Sequence, residues 1–255
     1  MRIERREGVL TITNTDAPMN RMTFEYIDEI ESLLDDVRTD DTVRVLVFTA
    51  DGEDNFSVGM DLKQLFLERE SRGGMDEVLD QRRRVLRAIE TLGKPSIATM
   101  FGYCLGGGLE LPLACTLRLA ASAGANIGLP EMDLGSVPAW GGSVRLTRCV
   151  GPTRALDMML RGRRIDGEEA LRIGLVSEVH PVSELKARAR ELALELARGP
   201  RIAMAGVMRT VDITMNGTLD DGLDAEREAV IACRGTHDEA EGGRAFLEKR
   251  PPVFE

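Results

Sequence analysis

Between residues 8 and 121, short apolar runs alternate with longer stretches whose apolar positions recur every three or four residues. Residues 8–13 show the period-two pattern of a strand, and Val43–Thr49, Ser96–Met100 and Leu117–Ala121 read as short buried strands. Thr23–Arg38 carries Phe24, Ile27, Ile30, Leu34 and Val37 on one helical face, and Val78–Leu92 and Gly107–Cys115 also read as helices. Strands separated by helices in this order predict an α/β fold. Beyond Gly151 the pattern turns helical. Asp166 and Glu169 offer a capping box, Leu175–Val179 reads as a last short strand, and Val182–Glu248 as helices broken at Gly199-Pro200, Gly217 and Gly235. Residues 1–198 are expected to form the core domain and 199–255 a helical C-terminal region. Residues 64–77 join apolar side chains to a Gly73-Gly74 break and admit two readings, a mobile flap over a ligand or a plain surface loop.

Charge and composition narrow the function classes. A net charge of −10 argues against a nucleic-acid binder, which would show a basic face. The one basic cluster, Arg82-Arg83-Arg84, lies between Asp80 and Glu90 in a helical pattern and is expected on a solvated helix face. Cys104, Cys115, Cys149 and Cys233 show no CxxC pairing and sit in apolar contexts, as buried free thiols of a reducing compartment would. His180 and His237 lie far apart, so no metal cluster emerges. The charged start Met1–Arg6 lacks the apolar segment of a secretory signal, and no run reaches the ~18 apolar residues of a membrane span. A cytoplasmic location is expected.

Two glutamates carry the functional signal. Glu110 closes Gly102-Tyr103-Cys104-Leu105-Gly106-Gly107-Gly108-Leu109-Glu110, and Glu131 closes Gly128-Leu129-Pro130-Glu131. Glycines let a ligand approach backbone amides closely, and a carboxyl among apolar neighbours is disfavoured in its charged form. Backbone N–H donors beside a tunable acid/base are the parts needed for chemistry at a carbonyl. A plainer reading, a tight packing site with two structural carboxylates, would need a partner for each, and no cation stands nearby in the sequence.

Four ordered segments extend this reading over nearly the whole chain: Asn55–Leu62, Gly102–Glu110, Gly128–Gly142 with Arg145-Leu146, and Ala245–Arg250. Through them the chain resembles the enoyl-CoA hydratase/isomerase (crotonase) superfamily. The resemblance implies a spiral of ββα repeats, a helical C-terminal region, and homotrimers that often pair as hexamers. It implies an acyl-CoA substrate, with coenzyme A part of that substrate and no separate cofactor. The amides of Met60 and Gly107 become the oxyanion donors. Glu110 would activate water and Glu131 would protonate the α-carbon. Met60, Asp61, Leu62, Lys63, Gly107 and Trp140 would line the substrate site, joined by Phe246 and Lys249 near the C-terminus, with Lys249 reaching a phosphate of the CoA, often of a neighbouring subunit. For Lys249 an ordinary exposed helix-end lysine fits equally well.

Retention of both glutamates favours a hydratase over an isomerase or a C–C bond hydrolase of the same superfamily, and over a non-catalytic acyl-CoA-binding subunit. Three residues depart from the family's pattern. Trp140 stands where a small residue is common, and either narrows the acyl pocket or turns into the core. Pro112 removes a backbone donor from the helix carrying Glu110. Thr116 replaces a common Asp, which puts a supporting contact in doubt.

Overall fold

The computed structural model describes residues 1–255. In chain order the elements are β1 (Arg2–Arg6), β2 (Val9–Asn14), α1 (Phe24–Arg38), β3 (Val45–Ala50), α2 (Leu62–Glu68), α3 (Gly74–Glu90), β4 (Ser96–Met100) and β5 (Tyr103–Leu105). They continue with α4 (Gly107–Ala114), β6 (Leu117–Ala121), β7 (Asn126–Gly128), a 3-10 turn (Glu131–Leu134), α5 (Gly142–Val150), α6 (Pro152–Leu160), α7 (Gly167–Arg172) and β8 (Glu178–His180). Four helices end the chain: α8 (Val182–Ala197), α9 (Arg201–Asn216), α10 (Leu219–Cys233) and α11 (His237–Glu248).

The main sheet runs β1-β2-β3-β4-β6-β8, parallel throughout except for the β1–β2 hairpin. Strands β3 and β4 are buried at every residue, as parallel strands covered on both faces must be. A second layer pairs β5 with β7 in parallel, and Ser57 bridges Cys104 in the same sense. The two layers are built in step. After β3 the chain passes Ser57 and enters α2; after β4 it forms β5 and enters α4; after β6 it forms β7 and enters the 3-10 turn. Each circuit is thus a strand in the large layer, a strand in the small layer, then a helical turn, which is the expected ββα spiral. Because the small layer is parallel, its three strand ends, near Met60, Gly107 and Glu131, emerge side by side.

Several expectations need correction. Residues 64–77 are not a plain surface loop: α2 occupies 62–68, a turn spans 69–73 and α3 starts at Gly74, with Asp61 capping α2 through Gln64 N–H. The last strand lies at 178–180 rather than 175–179, and β1, a fully exposed edge strand, gave no apolar signal to read. Asp166 accepts from Glu169 N–H but the reciprocal bond is missing; the full capping box is Thr218 with Asp221. Cys104 and Cys115 are buried, but Cys149 and Cys233 are only half-buried. Arg82 is not solvated. It occupies the same face of α3 as Val78, Val85, Leu86 and Ile89 and is 1% exposed.

Candidate active site

Segment 56–60 is laced to the strand that leads into α4. Phe56 N–H donates to Phe101 O, Ser57 N–H to Tyr103 O, and Leu105 N–H to Ser57 O. A bridge with Met22 engages Gly59 O and Asp61 N–H, and Met60 N–H itself has no acceptor in the chain. Gly59 lies against the start of α4, where a Cβ would stand 3.6 Å from Gly107 N. Gly107 is the first residue of α4, so its N–H belongs to the first turn, which has no intrahelical acceptor. Two unclaimed backbone donors therefore sit on adjoining segments.

Glu110 is 2% exposed. Its Oε1 accepts N–H bonds from Trp140 and Gly142, both at 2.8 Å, and no side-chain cation completes the set. Gly142 must be glycine for this approach, since a Cβ there would stand 2.8 Å from that same oxygen. Burial pushes the Glu110 carboxyl up to about 7, with the neighbouring Glu131 adding to the rise, while the two N–H bonds and Arg145 oppose it. Glu131 opens the 3-10 turn. Its Oε1 overhangs Gly106, where a Cβ would be 2.9 Å away, and its Oε2 is buried without a partner. Burial raises this carboxyl as well. Gly106 is the N-cap of α4, the helix that carries Glu110, so the Glu131 carboxyl lies over the start of that helix.

Trp140 is buried, which answers half of the question its position raised. Its ring covers Gly107 so closely that any Cβ there would collide with it, while its N–H clamps Glu110. The residue is at once core and site. Arg145 holds this loop, donating to Trp140 O at 2.8 Å and pairing with Glu90 at 2.6 Å. The Trp140–Gly142 clamp and the Arg145–Glu90 strut were not anticipated from sequence. The Gly141-Gly142 pair was the visible signal, since adjacent glycines mark close backbone approach. Thr116 supplies its own support, accepting from Ser96 N–H and donating its N–H to Ser96 Oγ. Pro112 is accommodated two residues before α4 ends.

The other expected contact residues divide. Asp61, Leu62 and Lys63 follow Met60 at the start of α2, beside the donors. Phe246 and Lys249 lie at the end of α11, where Phe246 is 83% exposed, and no contact joins them to the Glu110 site within one chain.

Two carboxyls with raised proton affinity, beside two N–H donors at parallel strand ends, can move protons at a carbon next to a stabilised carbonyl oxygen. The model of the enoyl-CoA hydratase/isomerase family matches residues 4–255. A short-chain-enoyl-CoA hydratase of Clostridium acetobutylicum is 32% identical, covering 96% of this chain and 94% of that protein. A crotonyl-CoA hydratase of Syntrophomonas wolfei is 34% identical, covering 98% and 95%. The crystal structure of an enoyl-CoA hydratase from Bacillus anthracis superposes with a TM-score of 0.92 at 33% identity, over 99% of this chain and 98% of that one. The chain belongs to the enoyl-CoA hydratase/isomerase family, within the crotonase superfamily, and has the crotonase fold.

Proposed function

We propose that the protein hydrates a 2-enoyl-CoA to a 3-hydroxyacyl-CoA. The observation that carries this reading is a pair of buried carboxyls, Glu110 and Glu131, near enough for one to raise the proton affinity of the other, on segments that adjoin the Met60 and Gly107 amides. The thioester oxygen accepts from those two amides. Glu110 removes a proton from water as the water oxygen bonds to C3. The double-bond electrons move to C2 and the thioester oxygen, and protonated Glu131 delivers its proton to C2. One proton then returns from Glu110 to Glu131 through solvent before the next turnover. The two acids titrate as a coupled pair. Losing one such oxyanion donor typically costs about 2.7–4 kcal/mol of barrier.

Coenzyme A enters as part of the substrate, and no other cofactor takes part. Asp61, Leu62 and Lys63 line its entry; Phe246 and Lys249 reach the CoA of a neighbouring subunit in a trimer or hexamer. Lys249 suits a phosphate as a point charge. The four free thiols fit a reducing cytoplasm. The test is crotonyl-CoA hydration, followed by loss of the conjugated thioester absorbance, with Glu110→Gln and Glu131→Gln in parallel. Hydration abolished by either change supports the reading. Double-bond migration that survives Glu110→Gln would replace it with an isomerase.

A further inference from the structure

A buried guanidinium stands behind the site without a carboxylate partner. Arg82 is 1% exposed, and no Asp or Glu of this acidic chain approaches it within 4.0 Å. Its Nε has no acceptor, Nη1 donates to Gln81 Oε1, and the acceptor of Nη2 is the Met60 Sδ at 3.9 Å. The thioether is a weak acceptor on a flexible side chain. Two aromatic faces hold the cation in place, Phe24 at 4.7 Å and Trp140 at 5.4 Å. Burial lowers its proton affinity to about 10, so it remains charged at neutral pH.

The placement matters more than the burial. Trp140 covers Gly107, and Met60 carries the other unclaimed amide, so both residues touching Arg82 on this side belong to the site. An acyl group whose carbonyl accepts from those amides would lie against Trp140 and Met60, the same two residues that touch the cation. A structural arginine at this depth would be expected to carry its own carboxylate, because an uncompensated buried charge is costly. Gln81 relays only part of one, donating to Asp28 and Glu31 while accepting from Arg82.

We propose that Arg82 is a specificity-determining residue that receives the free carboxylate of a dicarboxylic acyl group, bound as its CoA monothioester. This rests on the acyl-thioester reading of the site. The carboxylate would displace the Met60 thioether and take the Nη2 and Nε donors in a forked pair, the geometry that guanidinium favours. Trp140 and Phe24 would keep the fork aligned, and the acyl chain between would be short.

The test separates binding from turnover by using saturated thioesters that cannot be hydrated. Calorimetry compares glutaryl-CoA with pentanoyl-CoA, which match in chain length and differ in a terminal carboxylate against a methyl. The wild-type protein is expected to bind glutaryl-CoA at least tenfold more tightly. Arg82→Met should erase or invert that preference, with a melting curve confirming its fold, and Arg82→Lys should restore part of it. Equal or tighter binding of pentanoyl-CoA by the wild type would overturn the proposal, as would a preference that persists in Arg82→Met. If neither thioester binds, the acyl-CoA reading falls and the proposal with it. If both bind but crotonyl-CoA is not hydrated, only the reaction assignment fails.

Discussion

Glu110 accepts two backbone bonds on one oxygen and none on the other, so Oε1 fixes the carboxyl while Oε2 stays available for a proton. Its affinity for that proton rises to about 7, chiefly through burial. The folded state binds the proton more tightly than the unfolded chain, whose carboxyl titrates near 4.5. Stability therefore falls as pH rises from about 4.5 to 7, and the deficit above that, at 1.36 kcal/mol per pKa unit, is on the order of 3 kcal/mol. Glu110→Gln keeps an oxygen to accept both N–H bonds and removes the charge. It should melt at higher temperature than the wild type at pH 8, with the advantage vanishing near pH 4, as calorimetric scans would reveal. The same change should lower crotonyl-CoA hydration by ~10²–10⁴-fold, the usual worth of a positioned acid/base. In the wild type, kcat/KM should fall as pH drops through the apparent pKa of the Glu110–Glu131 pair. The identity of both acids was legible because glycines and apolar neighbours surround them in the chain. Their polar partners were not, because the donors that fix Glu110 are backbone groups about thirty residues away.

At the scale of elements, the short parallel layer explains how distant segments form one site. Each circuit of the spiral delivers a strand end at the same level, so Met60, Gly107 and Glu131 meet although 71 residues separate the first from the last. The loop before α5 then closes over them. Gly142→Ala would place a Cβ 2.8 Å from Glu110 Oε1 and push its N–H away. A hydrogen bond to a charged group contributes about 1.5–3 kcal/mol. Tenfold to a hundredfold loss of kcat is expected, with little change in KM. The acid limb of the pH profile should also move upward, since one bond favouring the anion is gone; a merely structural lesion would leave that limb in place. Helix α3 holds the main misreading. Three consecutive arginines suggested a wet face, yet successive helical residues point about 100° apart and cannot share one. Arg83 and Arg84 are exposed, and Arg82 falls at the spacing of Val78, Val85 and Ile89. The spacing was present in the sequence; charge alone concealed it. Helix α2 was missed for another reason: it is short, has no buried residue and leaves Phe66 and Leu67 exposed, so its apolar positions draw no stripe.

For the whole molecule, the C-terminal helices leave apolar surface uncovered. Helices α9 and α10 pack closely on each other, with Gly206 against Ala229, yet neither carries a continuous buried stripe. Val207, Val211 and Met215 on α9, and Leu219, Leu223, Val230 and Ile231 on α10, are all exposed. Leu156 and Leu160 on α6 add to the uncovered area. Where such exposed apolar residues form a large patch, they mark a protein interface more often than a free surface. The monomer's core is complete without them: α8 packs on the sheet, and the interior residues from β2 to α8 form one cluster. The excess apolar area is thus available to other copies, consistent with the proposed trimer or hexamer. Light scattering should give a mass of three or six times 28.0 kDa. Val207→Asp combined with Val211→Asp should shift that mass toward the monomer, because two carboxylates would have to be desolvated on assembly. Hydration should weaken mainly through KM in that variant if Phe246 and Lys249 serve the neighbouring subunit's CoA, since Glu110 and Glu131 lie within each chain. A monomer that keeps the wild-type KM would place the whole CoA site in one subunit.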